Sequence, residues 1–143
     1  MTRACSSSPA RIASVRRRCG NGFERALVKT VNHPNFRTMF DTFHAHIEEK
    51  SQASAIRTVK PVLAHVHISE NDRGTPGTGQ VNWDAAFGTL AEIGYDGWMV
   101  IEAFGRALPD LAAATKVWRD LFPSPEDVYL RGLAFMKGRV GKK

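Results

Sequence analysis

Three short apolar runs most constrain this chain: NFRTMFD at residues 35–41, VLAHVHI at 62–68 and WMVIEAF at 98–104. Each is too short for a helix of ordinary length and is followed by a stretch that can form one. The second and third runs are almost continuously apolar rather than alternating, the pattern of strands buried on both faces of a parallel sheet. Helices are expected over residues 23–31, 48–60, 82–94, 108–122 and 124–138. The first stops at His33-Pro34 and the second at Pro61, because a proline disfavours the helical conformation of the residue before it. Asn82 serves as an N-cap and Gly94 as the residue beyond a C-cap. Ser124-Pro125 opens the last helix above an acidic first turn. Strands alternating with helices define an α/β chain built of βα units.

The strand ends carry chemistry. The first run closes on Asp41, with His44 and His46 just after it. The second carries His65 and His67, with Glu70 and Arg73 beyond, and the third contains Glu102. Function in parallel α/β sheets collects at the carboxyl ends of the strands. A carboxylate, an imidazole and a second carboxylate on successive strand ends are a ligand set for a divalent cation, and mixed N/O donors suit Mn²⁺, Co²⁺ or Mg²⁺. Each residue also has an ordinary reading: Asp41 as a helix cap, a lone histidine as a strand-lining residue. Glu102 is the hardest to read so, because a carboxylate inside an apolar run needs a partner. Arg73 can reach back over the strand end as a hydrogen-bond fork. The glycines of GTPGTG shape a tight loop, and the absence of a terminal Gly-Lys-Ser/Thr sets aside a phosphate-binding P-loop.

Charge and cysteine content exclude other classes. The net charge of +6 is confined to residues 1–37, which hold eight Lys/Arg against the single acid Glu24, while the remainder sums to −1. A nucleic-acid interface would place its basic groups on a folded face, so no nucleic-acid partner is expected. Cys5 and Cys19 fit neither a disulfide framework nor a metal spacing. No apolar run approaches the ~20 residues of a membrane span, so no membrane partner is expected and the location is read as cytoplasmic. Residues 1–21 are Ser- and Arg-rich and free of acids, a superficial match to a transit peptide, and are read instead as a disordered basic leader ahead of a domain over 22–140.

DTFHAHIEE (41–49), HVHISENDRGTPGTGQVNW (65–83) and EIGYDGWMVIEAFG (92–105) resemble the sugar isomerase/epimerase family with a xylose-isomerase-like TIM barrel, nearest the D-tagatose/D-allulose 3-epimerases. The likeness runs from about Phe23 to Met136. It implies a partial (β/α)8 barrel comprising the last three βα units and a C-terminal helix. It further implies Asp41, His67 and Glu102 as metal ligands, with Mn²⁺ foremost and Co²⁺ or Mg²⁺ as alternatives. Glu102 doubles as an acid/base glutamate, and His44 and Arg73 hold oxygens of a ketose or related sugar. The implied reaction is proton transfer beside a ketose carbonyl through an enediolate. The family's other metal-binding glutamate would fall near residue 8, where the chain reads SSSPARIAS. The chain alone is therefore expected to be weak or inactive, and to pair with a second copy or a complementing half barrel. Two alternatives stay open: a non-catalytic binding or assembly module, and a related reaction such as hydroxypyruvate isomerisation or inosose dehydration.

Overall fold

A computed structural model describes residues 11–12 and 21–140. The elements in order are β1 (Arg11–Ile12), α1 (Asn21–Val31), β2 (Phe36–Asp41), α2 (Thr42–Glu48), α3 (Gln52–Val59), a 3-10 turn (Lys60–Val62), β3 (Leu63–Ile68), α4 (Trp83–Glu92), β4 (Trp98–Ile101), α5 (Pro109–Thr115) and α6 (Pro125–Val140). The strands form a parallel sheet in the order β1-β2-β3-β4. This is the parallel βα arrangement expected from the alternation of elements, and it matches the partial barrel that the family resemblance implies. Most of the basic leader lies outside the described residues, but Arg11–Ile12 pairs in parallel with Phe36 and Arg37. Among the described residues no helix is long and apolar enough to cross a membrane.

Period-two alternation gives the sheet two unlike faces. Phe40, Val66 and Ile68 point to one side and are fully buried against α3 and α4, where Ile56, Val59, Ala86 and Leu90 complete the core. Residues in the intervening positions point the other way. The register sets Asp41 beside His67, His67 beside Val100, and His65 beside Trp98. On that second face Trp98 is 79% exposed and Val100 41%.

Three differences from the expected elements have local causes. The segment after β2 forms a helix, α2, which Asp41 caps by accepting the His44 N–H at 3.0 Å; the helix expected over 48–60 begins afresh at the Ser51 cap. The helix expected over 108–122 ends at Thr115. There Lys116 adopts a left-handed conformation (φ 62°) and the chain turns, so that Val117 is buried. The third apolar run pairs as a strand only through Ile101, although the Glu102 N–H still donates to the Ile68 carbonyl at 3.0 Å.

Candidate metal centre

Asp41, His67 and Glu102 converge at the carboxyl ends of β2, β3 and β4, with one potential ligand atom from each lying within 4.8 Å of the others. Asp41 and His67 are register partners. Glu102 lies two residues beyond Val100, the partner of His67, and so emerges on the same face. The residues that the strand-end pattern singles out are thus brought together by the pleat and the parallel register.

Asp41 divides its two oxygens between two tasks. Oδ1 caps α2; Oδ2 is buried, makes no hydrogen bond, and lies 3.6 Å from His67 Nδ1. The capping reading and the ligand reading of this residue are therefore compatible. Glu102 Oε1 lies closer to the same imidazole nitrogen, at 3.1 Å, while its Oε2 accepts from Arg73 Nη1 at 2.8 Å. Asp41, and then Glu102, push the His67 imidazole up to about 9. Burial pushes both carboxyls up, but His67 together with His44 for Asp41, and His67 together with Arg73 for Glu102, leave both below their ordinary values. The orphaned Asp41 oxygen and the N/O donor set both fit a hard or borderline divalent metal.

Arg73 adopts a left-handed backbone conformation, with φ 70°. Its N–H donates to the Glu70 carbonyl, and its own carbonyl accepts from Phe104 N–H, both at 3.0 Å. The guanidinium stacks 3.6 Å from the Phe43 ring centroid and 4.8 Å from that of Phe104. A planar cation between two aromatic faces gains stabilisation, and its edge donates to Glu102. His44, on α2, lies near enough to Asp41 to help lower its carboxyl pKa. His65 stands edge-on to His67, with ring centroids 5.1 Å apart, and lies outside the ligand cluster. Burial and the neighbouring His67 depress its pKa.

The sequence reading gave no role to Glu70, Thr42, Phe43 or Phe104. The Thr42 hydroxyl accepts from Ser69 N–H at 2.8 Å and donates to the Ser69 carbonyl at 2.7 Å, fastening the end of β3 to the start of α2. Glu70 is fully buried. A glutamate followed by a glycine-rich loop is the only hint of its setting in the sequence.

The chain belongs to the xylose isomerase-like TIM barrel family, whose match spans residues 21–139. It is 37% identical over 117 residues to a ketose 3-epimerase of Arthrobacter globiformis, covering 80% of this chain and 40% of that protein. It is 45% identical over 94 residues to the D-psicose 3-epimerase of Ruminiclostridium cellulolyticum, covering 66% of this chain and 32% of the relative. The crystal structure of a D-allulose 3-epimerase from Methylomonas sp. in complex with D-allulose superposes with a TM-score of 0.75. That likeness is 35% identical and covers 80% of this chain and 40% of the other. The chain spans well under half the length of the curated relatives it matches.

Proposed function

We propose that this chain forms the metal-binding wall of a ketose 3-epimerase, with Asp41, His67 and Glu102 as ligands of a divalent cation. The buried Oδ2 of Asp41, which makes no hydrogen bond and lies beside the other two candidate ligand atoms, carries this reading, and the ketose and D-psicose 3-epimerases among its relatives give it the substrate class. Mn²⁺ is the preferred ion, with Co²⁺ and Mg²⁺ next. When bound, the cation supplies polarisation of the ketose oxygens, which makes the C–H beside the carbonyl more acidic.

The residues of the chain divide the remaining work. Arg73 holds Oε2 of Glu102 and His67 faces Oε1, so that Glu102 is oriented on both sides as the group that takes the substrate proton. Arg73 and His44 stabilise the charge that develops on the substrate oxygens as the enediolate forms. Epimerisation needs a second base to return the proton to the opposite face. Among the described residues the cluster holds one glutamate, Glu102. The chain alone therefore binds metal weakly and turns over little ketose. The opposite wall comes from a second copy or a complementing half barrel laid over the face of Trp98 and Val100.

Calorimetric titration with Mn²⁺ and then D-allulose tests this reading. Weak Mn²⁺ binding that is lost in both Asp41→Asn and Glu102→Gln supports it. No heat from Mn²⁺, or binding indifferent to both substitutions, overturns it. Rapid C3 epimerisation by the chain alone, abolished by Glu102→Gln, would refute the expected low activity.

A further inference from the structure

The loop between β3 and α4 carries a second buried carboxylate that the reaction does not use. Glu70 is 0% exposed, and no basic side chain is among its bonded partners. Its Oε1 accepts the backbone N–H of Asn71 at 3.1 Å and of Val81 at 3.0 Å. Its Oε2 accepts the backbone N–H of Gly77 at 2.8 Å and the Trp83 indole N–H at 3.0 Å. Four donors spread over residues 71–83 thus close on one anion, the arrangement of a backbone nest with the anion supplied by the chain itself.

The loop is shaped around this group. A Cβ on Gly79 would sit 2.7 Å from Glu70 Cγ, and a Cβ on Gly77 would sit 2.6 Å from a Phe135 ring carbon with φ at +90°. The glycines are therefore the condition for the backbone to close on the carboxylate. The Glu70 carbonyl also accepts from Arg73 N–H, forming the turn that holds Arg73 left-handed, a conformation a non-glycine residue adopts only where its surroundings hold it there. From that turn Arg73 reaches Glu102 Oε2 at 2.8 Å.

We propose that Glu70 is a positioning residue for the metal centre: its carboxylate holds the 70–83 loop closed, so that Arg73 is kept on Glu102 and Glu102 Oε1 is kept toward the ligands. This deepens the metal-site reading and rests on it for its last step only. Groups that hydrogen-bond a metal-ligating carboxylate typically change metal affinity by about 10–100-fold when removed. Glu70 acts one residue further out, so its removal weakens Mn²⁺ binding only as far as loss of Arg73 does.

The experiment compares the full chain with Glu70→Gln, Arg73→Ala and the double variant. In metal-free protein, solvent exchange of the Arg73 guanidinium Nε–H is followed by NMR, with the amides of Phe40 and Val66 as internal reports of the core. The expected result is roughly tenfold faster Arg73 exchange in Glu70→Gln with core protection kept. Mn²⁺ affinity should fall about tenfold in each single variant and no further in the double, because one pathway is broken twice. Gly79→Ala, which crowds Asn71 and Glu70 without removing the carboxylate, reproduces the faster exchange if Glu70→Gln fails to fold. Unchanged Arg73 exchange in either variant, or affinity losses that multiply in the double, overturns the proposal. Arg73 exchange is read without metal, so failure of the unsubstituted chain to bind Mn²⁺ overturns the site reading alone.

Discussion

Raising the pH of the metal-free chain above 9 should remove a stabilisation that is fully present below pH 6.5. His67 carries the effect. Its imidazole stands 3.6 Å from Asp41 Oδ2 and 3.1 Å from Glu102 Oε1, which together push it up to about 9 from an ordinary 6.5. A group whose folded pKa is raised stabilises the fold while protonated in both states. That stabilisation declines as pH climbs from the unfolded value, and is gone once the folded group has also lost its proton. The gap corresponds to about 3 kcal/mol at most. Because the His67 side chain is 21% exposed on an open sheet face, solvent screening brings the expected loss to about 2 kcal/mol. Asp41 and Glu102 sit below their ordinary values and complete their titration well below this window. His65 is depressed, so its own contribution falls below the window as well. Urea unfolding in chelator at intervals from pH 6 to 9.5 should show the decline, and His67→Gln should remove most of it. An unchanged slope in His67→Gln, or a His67 NMR titration midpoint near 6.5, would refute the reasoning.

Asp41→Asn should lower Mn²⁺ affinity by about tenfold or more, yet keep the cap on α2, since an asparagine oxygen can accept the His44 N–H; calorimetry and far-UV circular dichroism read the two halves separately. Thr42→Val strips the fully buried hydroxyl that both donates to and accepts from Ser69, and should cost about 1–3 kcal/mol in urea unfolding. Gly77→Ala must hold φ at +90° and meet the Phe135 ring, so a loss of about 1–3 kcal/mol is expected; a stability within experimental error of the parent would mean the loop closes differently.

That a carboxylate, an imidazole and a second carboxylate would meet at successive strand ends was legible in the sequence because parallel register and a two-residue side-chain period are rigid rules. The choice of His67 over His65 came from the family resemblance, not from the strand pattern. Glu70 was not legible in the same way. Its partners are backbone N–H groups of Asn71, Gly77 and Val81 and one indole. Backbone donors are present at nearly every position, so no pattern of residue types announces which ones will close on a carboxylate. α2 was hidden for another reason: a seven-residue helix that follows its strand with no intervening loop leaves no turn residues to mark it. At Lys116 the chain leaves the helix although the residues around it suit one, and the turn is accompanied by burial of Val117.

The alternation that gathers Asp41, His67 and Glu102 also fixes what accompanies them. Trp98 and Val100 share the face of Asp41, His67 and Glu102 because they occupy the same parity on β4 and in its register with β3. The core face, by contrast, is already sealed by Phe40, Val66 and Ile68 against the helices. The candidate site and the uncovered apolar surface of the sheet are thus one surface. Any element that covers Trp98 also excludes water from the neighbouring ligands, and electrostatic attraction between a cation and carboxylates strengthens as water leaves. A bound cation in turn offsets the cost of burying two carboxylates, which removes the chief penalty against covering that face. On the proposed metal-site reading, cation binding and covering of this face therefore favour each other.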